Sequence, residues 1–205
     1  MKSEELGVSD MERCHVSVGA TCRSPLHHRQ SLRLKGYDYS QAGAYFVTLC
    51  VHERACLLGE IKDEKMQIND IGRIVAEEWI KTAEMRKAIE LDEYIIMPNH
   101  FHAILFITDD GGGDRRGDLQ VAPTTSGNGP KPKSIGAIMA GFKSAAAKRI
   151  NTLRGTAGVP VWQRNYYEHI IRNDESLNRI RQYIINNPAQ WAMDRENPNR
   201  VSYDD

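Results

Sequence analysis

The stretch YIIMPNHFHAILFI, residues 94–107, places two histidines one residue apart inside an apolar run. Pro98-Asn99 is a turn dipeptide, and a proline cannot continue a ladder of hydrogen bonds. The stretch therefore divides into two strands, IELDEYIIMP and HFHAILFI, expected to pair antiparallel across that turn. Successive side chains of a strand point to opposite faces, so His100 and His102 share one face while Phe101 and Ala103 share the other. Side chains two apart are roughly 7 Å apart at the backbone and can converge at their tips on one metal ion. Taken alone, the pattern more often marks hydrogen-bonded structural histidines than a ligand pair.

Outward from this pair, AYFVTLCV (44–51) is rich in β-branched and aromatic residues, which predicts a buried strand, and KMQIND (65–70) is expected to pair with it. Asn69 or Asp70 can cap a helix whose apolar face carries Ile71, Ile74, Val75, Trp79 and Ile80 and which should run to about Lys87. Ser134 caps a second helix with Ile135, Ile138, Met139, Phe142 and Ala146 on one side. VPVWQRNYYEHIIRN (159–173) reads as a strand-rich return. Asp174 or Ser176 opens a last helix, ESLNRIRQYIINN, which Pro188 stops. Strands and helices in this order describe one α+β domain with a mainly antiparallel sheet. Residues 1–32 lack sustained periodicity and are expected to form a flexible basic leader. Residues 109–133, rich in Gly, Pro, Ser and Thr, are expected to form a mobile loop insertion within a domain spanning 33–192, leaving 193–205 as a short C-terminal tail.

A chain of 205 residues is long enough for one domain with a proper core and too short for two comfortable ones. Lys plus Arg equals Asp plus Glu at 27 each, so net charge selects no partner, but its distribution does. Between Leu119 and Tyr167 there is no acid, while Lys131, Lys133, Lys143, Lys148, Arg149, Arg154 and Arg164 all fall in that window, which suits a polyanion. Trp162, Tyr166 and Tyr167 interleave with these charges as possible stacking surfaces for single-stranded nucleic acid, although core packing is the commoner fate of such a tryptophan. Cys14, Cys22, Cys50 and Cys56 form no CxxC pair, which argues against a zinc knuckle and a disulfide framework. With no secretory apolar segment and no run approaching the ~18 residues of a membrane span, the expectation is a cytoplasmic protein with no membrane partner.

Tyr183 and Asn187 are four residues apart on the last helix and hence on one face, bordering the stripe of Leu177, Ile180 and Ile184 that must pack on the sheet. A helix packed that way can bring a phenol and an amide oxygen to a sheet face bearing two histidines. A boundary tyrosine with a wet hydroxyl and a pre-proline helix terminator account for the same two residues without chemistry.

MPNHFHAI resembles the His-hydrophobic-His signature of HUH single-strand transposases, in particular the REP-associated tyrosine transposase branch. GAYFVTLC, SIGAIMAGFKSAAAKRIN, VWQRNYYEHIIRN and YIINNP extend the likeness in order across about residues 32–192. The resemblance implies a ferredoxin-like α+β fold, a mainly antiparallel sheet with helices packed on one face, and a divalent metal, Mg²⁺ or Mn²⁺. It implies His100, His102 and Asn187 as metal ligands and Tyr183 as the nucleophile. The expected activity is cleavage and rejoining of single-stranded DNA through a 5′-phosphotyrosine intermediate, at DNA ends flanked by a hairpin. The expected DNA-binding residues are Lys143, Lys148, Arg149, Trp162, Gln163, Arg164, Tyr166 and Tyr167. A rolling-circle nicking enzyme and a non-catalytic nucleic-acid-binding protein of the same fold are the alternatives, and the sequence is compatible with a monomer or a homodimer.

Overall fold

The structure is a computed structural model that describes residues 36–108, 130 and 132–200, all belonging to one unit, Leu32–Asp205. The leader expected over residues 1–32, most of the loop expected over 109–133 and the last residues of the expected tail lie outside the described residues.

Four strands make the main sheet: β1 (Gly43–Cys50), β4 (Ile89–Ile96), β5 (His100–Ile107) and β6 (Tyr167–Ile171), in the order β4-β5-β1-β6 and antiparallel throughout. Between β1 and β4 lie the short strands β2 (Gly59–Lys62) and β3 (Lys65–Ile68) and the helix α1 (Asp70–Glu84). Helix α2 (Ile135–Arg154) connects β5 to β6, and α3 (Asp174–Asn186) follows β6. The main-sheet order places β1 between two partners distant in sequence, as in a ferredoxin-like βαββαβ unit. The mixed α+β architecture with a mainly antiparallel sheet expected from the sequence is what the chain forms.

The expected pairing of KMQIND with β1 does not occur. Both sides of β1 are taken by β5 and β6, so β3 pairs instead with β2 in a separate two-stranded hairpin. The hairpin turns at Asp63 and Glu64, both with positive φ (48° and 59°), the conformation that matches the right-handed twist of the flanking strands. Gly59 (φ 149°) and Gly72 allow this hairpin to lie close. A Cβ at Gly72 would stand 2.4 Å from the Leu58 carbonyl oxygen. The first helix is capped by Asn69, whose side chain accepts from the backbone N–H of Ile71 and Gly72, and ends at Glu84, slightly earlier than its periodicity suggests. The last helix is capped one residue before the expected positions, by Asn173, which accepts from Ser176 N.

The two faces of the sheet carry different layers. On one, Tyr45, Val47, Leu49, Phe101, Ala103 and Leu105 meet Val75 and Trp79 of α1 and Ile138, Met139 and Phe142 of α2, forming the larger core. On the other, Ala44, Phe46, Ile104 and Ile171 meet Leu177, Ile180 and Ile184 of α3. The expectation that the helices pack on one face is thus corrected: α1 and α2 share a face, and α3 covers part of the opposite one. A single apolar stripe on α3 commits it to packing against a sheet but does not choose the side. Latching α3 to β4, Arg181 brings Nε and an Nη each to 2.8 Å from Asp92 Oδ2. A bulge between Leu91 and Tyr94 adds one residue to β4 relative to β5. Because of it Leu91 and Tyr94 pack in the larger core while Ile95 faces α3. No helix among the described residues is long and apolar enough to cross a membrane.

Candidate active site

The site forms on the α3 side of the sheet, where the alternation of β5 sends both histidines. His100 and His102 are buried, their rings 4.6 Å apart between centroids. Each has its Nδ1 engaged within the protein: His102 Nδ1 lies 2.8 Å from the hydroxyl of Thr48, its register partner on β1, and His100 Nδ1 lies 2.9 Å from Asn99 Oδ1. Phe46 stacks on the His102 ring at 5.4 Å and fixes its plane.

Helix α3 brings Tyr183 and Asn187 to the same place, as their spacing on the helix requires. The Tyr183 hydroxyl lies 3.2 Å from His102 Nε2, while 43 % of the residue stays open to solvent. Asn187 follows the last helical turn with helical backbone angles and is buried. Its Oδ1 and the Nε2 of His100 are buried without a hydrogen-bond partner. Native proteins leave few such atoms unpaired, and two lone pairs at one site suit a cation that accepts them. Among the described residues no three of His, Cys, Asp and Glu gather at metal-binding spacing; the polar side chains at this point of the fold include the two imidazoles and the Asn187 amide.

The charges around the site come from the segment after α3. A 3-10 helix, Pro188–Met193, lays Trp191 against His100 with 6.0 Å between ring centroids. Beyond it the Asp194 carboxylate comes to 4.0 Å from His100 Nε2. A pocket of about 260 Å³ is lined by Tyr183, Asn187, Gln190, Met193, Asp194 and Arg195. Burial pushes the proton affinity of His100 down, partly offset by the charges of Asp194 and Glu196 and by the Asn187 side chain. His102 is pushed down further, by burial and by the neighbouring His100. Both rings are thereby held neutral, the state in which imidazole can donate a lone pair. Tyr183 is pushed upward by burial and by the Asp194 and Glu196 charges, against a lowering contact with Asn187, so the phenol keeps its proton at neutral pH.

The residues expected to contact DNA are divided by the sheet. Tyr167 is exposed and faces the site side, 6.3 Å from Phe46, whereas Tyr166 packs toward the larger core. Gln163 and Arg164 lie at the His100 end of β1, where Gln163 N donates to Cys50 O. Trp162 is a correction: its ring is buried against Phe142, so it has no face to offer a base. Lys143, Lys148 and Arg149 sit on α2, in the layer opposite the histidines. Lys143 Nζ donates to the carbonyls of Gln163 (2.7 Å) and Arg164 (2.9 Å), and Arg149 bridges Glu77 (2.6 Å) and Glu78 (2.7 Å). Nothing in the sequence singles out Thr48 as a partner of His102 or Asn99 as more than a turn residue, since both contacts depend on strand register and folded-back loops. Asp194 and Glu196 fall in the segment expected to be a tail, and the structure brings both to the site.

Fold and site together define an α+β protein whose antiparallel sheet presents a His-x-His pair to a tyrosine on a covering helix. A REP-associated tyrosine transposase, solved bound to a REP hairpin, shares the fold with a TM-score of 0.51 and 19% identity, over 78% of this chain and 74% of that one. No family model matches. An uncharacterized protein of Haemophilus influenzae is 38% identical over 170 residues, 83% of this chain and 93% of that protein. The chain belongs to the same family as that Haemophilus protein.

Proposed function

We propose that the protein is a tyrosine transposase of the HUH type, which cleaves and rejoins single-stranded DNA at hairpin-flanked ends with a divalent cation, Mg²⁺ or Mn²⁺, held by His100, His102 and Asn187. The observation that carries this reading is the Tyr183 phenol 3.2 Å from His102 Nε2, next to the buried, unpartnered Nε2 of His100 and Oδ1 of Asn187. The fold shared with a transposase solved on a hairpin supports the choice of substrate.

In this reading Tyr183 Oη attacks a backbone phosphorus and the bond to the 3′ oxygen breaks. The downstream fragment stays on the tyrosine through its 5′ phosphate, and the departing 3′ oxygen of the upstream fragment takes a proton to become a hydroxyl. When bound, the cation supplies Lewis-acid polarisation of a non-bridging phosphate oxygen and neutralises charge that develops there. Thr48 and Asn99 hold the imidazole planes, and the Arg181–Asp92 latch and Ile184 hold α3 so that Tyr183 reaches the phosphate. The phenol proton passes to water through the pocket that Asp194 lines. Because the phosphotyrosine retains the energy of the broken diester, a 3′ hydroxyl of another strand can reverse the step and no nucleotide cofactor is required. Tyr167, Gln163 and Arg164, at the site side or at its end of the sheet, are the contacts proposed for the incoming strand.

Incubation with a labelled single-stranded oligonucleotide and Mn²⁺ should give an SDS-resistant adduct. Tyr183→Phe should abolish the adduct while keeping DNA and metal binding, and His100→Ala and His102→Ala should abolish both the adduct and the metal dependence. Mapping the adduct to a peptide containing Tyr166 or Tyr167 would overturn the assignment of the nucleophile.

A further inference from the structure

A ligand histidine has to present the correct nitrogen, and the surroundings of His100 determine which one it presents. Asn99 is fully buried, and its Nδ2 lies 3.0 Å from the carbonyl oxygen of Arg54 and 2.6 Å from that of Glu196. Both are backbone carbonyls, which only accept, so they must face the amino group of the Asn99 amide and its Oδ1 must face the other way. Oδ1 lies 2.9 Å from His100 Nδ1. An amide oxygen also only accepts, so Nδ1 must carry the hydrogen, and in a neutral ring Nε2 is then bare.

We propose that Asn99 is a positioning residue: clamped by the carbonyls of Arg54 and Glu196, it locks His100 in the Nδ1–H tautomer and reserves Nε2 for the cation. The inference deepens the proposed function, on which its consequence for metal affinity rests, while the tautomer itself is a property of the metal-free chain. His102 differs, because its Nδ1 faces a Thr48 hydroxyl that can donate or accept. The clamp is built at some cost. Glu53 and Arg54 both take left-handed backbone conformations (φ 55° and 56°), which non-glycine residues adopt only when the surroundings impose them. The Glu196 side of the clamp is tied back by the ion pair of its carboxylate with Arg54 Nε at 2.9 Å. Residues from the turn after β1 and from the segment after α3 thereby help to set the protonation of one nitrogen on β5.

Long-range proton–nitrogen correlation spectra of the full chain, ¹⁵N-labelled at histidine and free of metal, read the tautomer directly, with His100→Gln assigning the signal. The expected result is a His100 ring protonated at Nδ1 and bare at Nε2. Asn99→Asp keeps the acceptor for Nδ1 and loses the donors to the two carbonyls, whereas Asn99→Leu loses both. Titration with Mn²⁺ should therefore find Asn99→Asp close to wild type and Asn99→Leu weaker by about tenfold or more, the usual cost of losing a partner behind a metal ligand. A merely structural asparagine predicts the reverse, since a buried carboxylate facing two carbonyls is the more damaging change. A wild-type His100 protonated at Nε2, or an aspartate variant as weak as the leucine one, overturns the proposal. Where a variant does not fold, the wild-type spectrum decides. If wild-type protein takes up no Mn²⁺ at all, the proposed function fails, and the tautomer measurement still stands on its own.

Discussion

At the scale of single residues, the pair His100 and His102 sets a pH dependence whose sign follows from burial. Both are held below the ordinary imidazole value of 6.5, chiefly because burial disfavours the charged ring. Unfolded, the same residues would take up protons near that value, so below it the unfolded chain binds more protons than the folded one. The metal-free protein should therefore lose stability as pH falls below about 6.5, at about 1.4 kcal/mol per pH unit for each proton taken up on unfolding, and their contribution should be constant above it. Denaturant titrations in EDTA across that range test this, and His102→Gln should flatten the slope. An acid limb unchanged by that substitution would show that other groups set it. The two histidines, Tyr183 and Asn187 were legible in the sequence because each pair depends only on local periodicity, two for a strand and four for a helix. Asn99 and Thr48 were not, because their roles depend on atoms that come from distant parts of the chain: the Arg54 and Glu196 carbonyls in one case, the β1–β5 register in the other.

At the scale of elements, α3 brings Tyr183 and Asn187 to the histidines and is held to the sheet by a small core. Ile184 is its one fully buried side chain, adjacent in sequence to the tyrosine that reaches His102. Ile184→Ala should cost about 2–4 kcal/mol of stability, from lost apolar contact and the cavity left behind. It should also lower adduct formation more than it lowers Mn²⁺ affinity, because Tyr183 belongs wholly to the helix while two of the three proposed ligands belong to β5. Equal losses of both in a folded variant would contradict this division. The existence of α3 and its caps was readable from its apolar stripe and its Asn and Pro boundaries. The side of the sheet it takes was not, and neither was the pairing of β2 with β3, since an amphipathic pattern specifies that a face is buried and leaves its partner open.

At the scale of the whole molecule, the sheet separates the layer of α1 and α2 from the face that carries the proposed site, and this changes the meaning of the acid-free segment. Its charge on α2 is largely engaged inside the fold, Lys143 by two carbonyls and Arg149 by Glu77 and Glu78. Replacing Lys143 with Met and Arg149 with Gln should lower the stability by about 1 kcal/mol each, the salt-bridge part being small because Arg149 is partly exposed. The slope of single-strand affinity against salt should stay as in wild type, whereas Arg164→Gln should make it shallower by about 0.7. Fluorescence anisotropy at several salt concentrations separates these outcomes, and a shallower slope for the α2 variant would return those residues to the DNA interface.

The same separation has a bearing on how such a gene would age. The larger core lies on the side away from the histidines, so a copy that lost Tyr183 or His102 to drift would keep most of what makes it fold. On the proposed function, extinction of the chemistry would leave behind a stable body with the surface proposed for the strand largely intact. If the proposed function holds, descendants of this kind would still bind the strand and compete with active copies for the same ends.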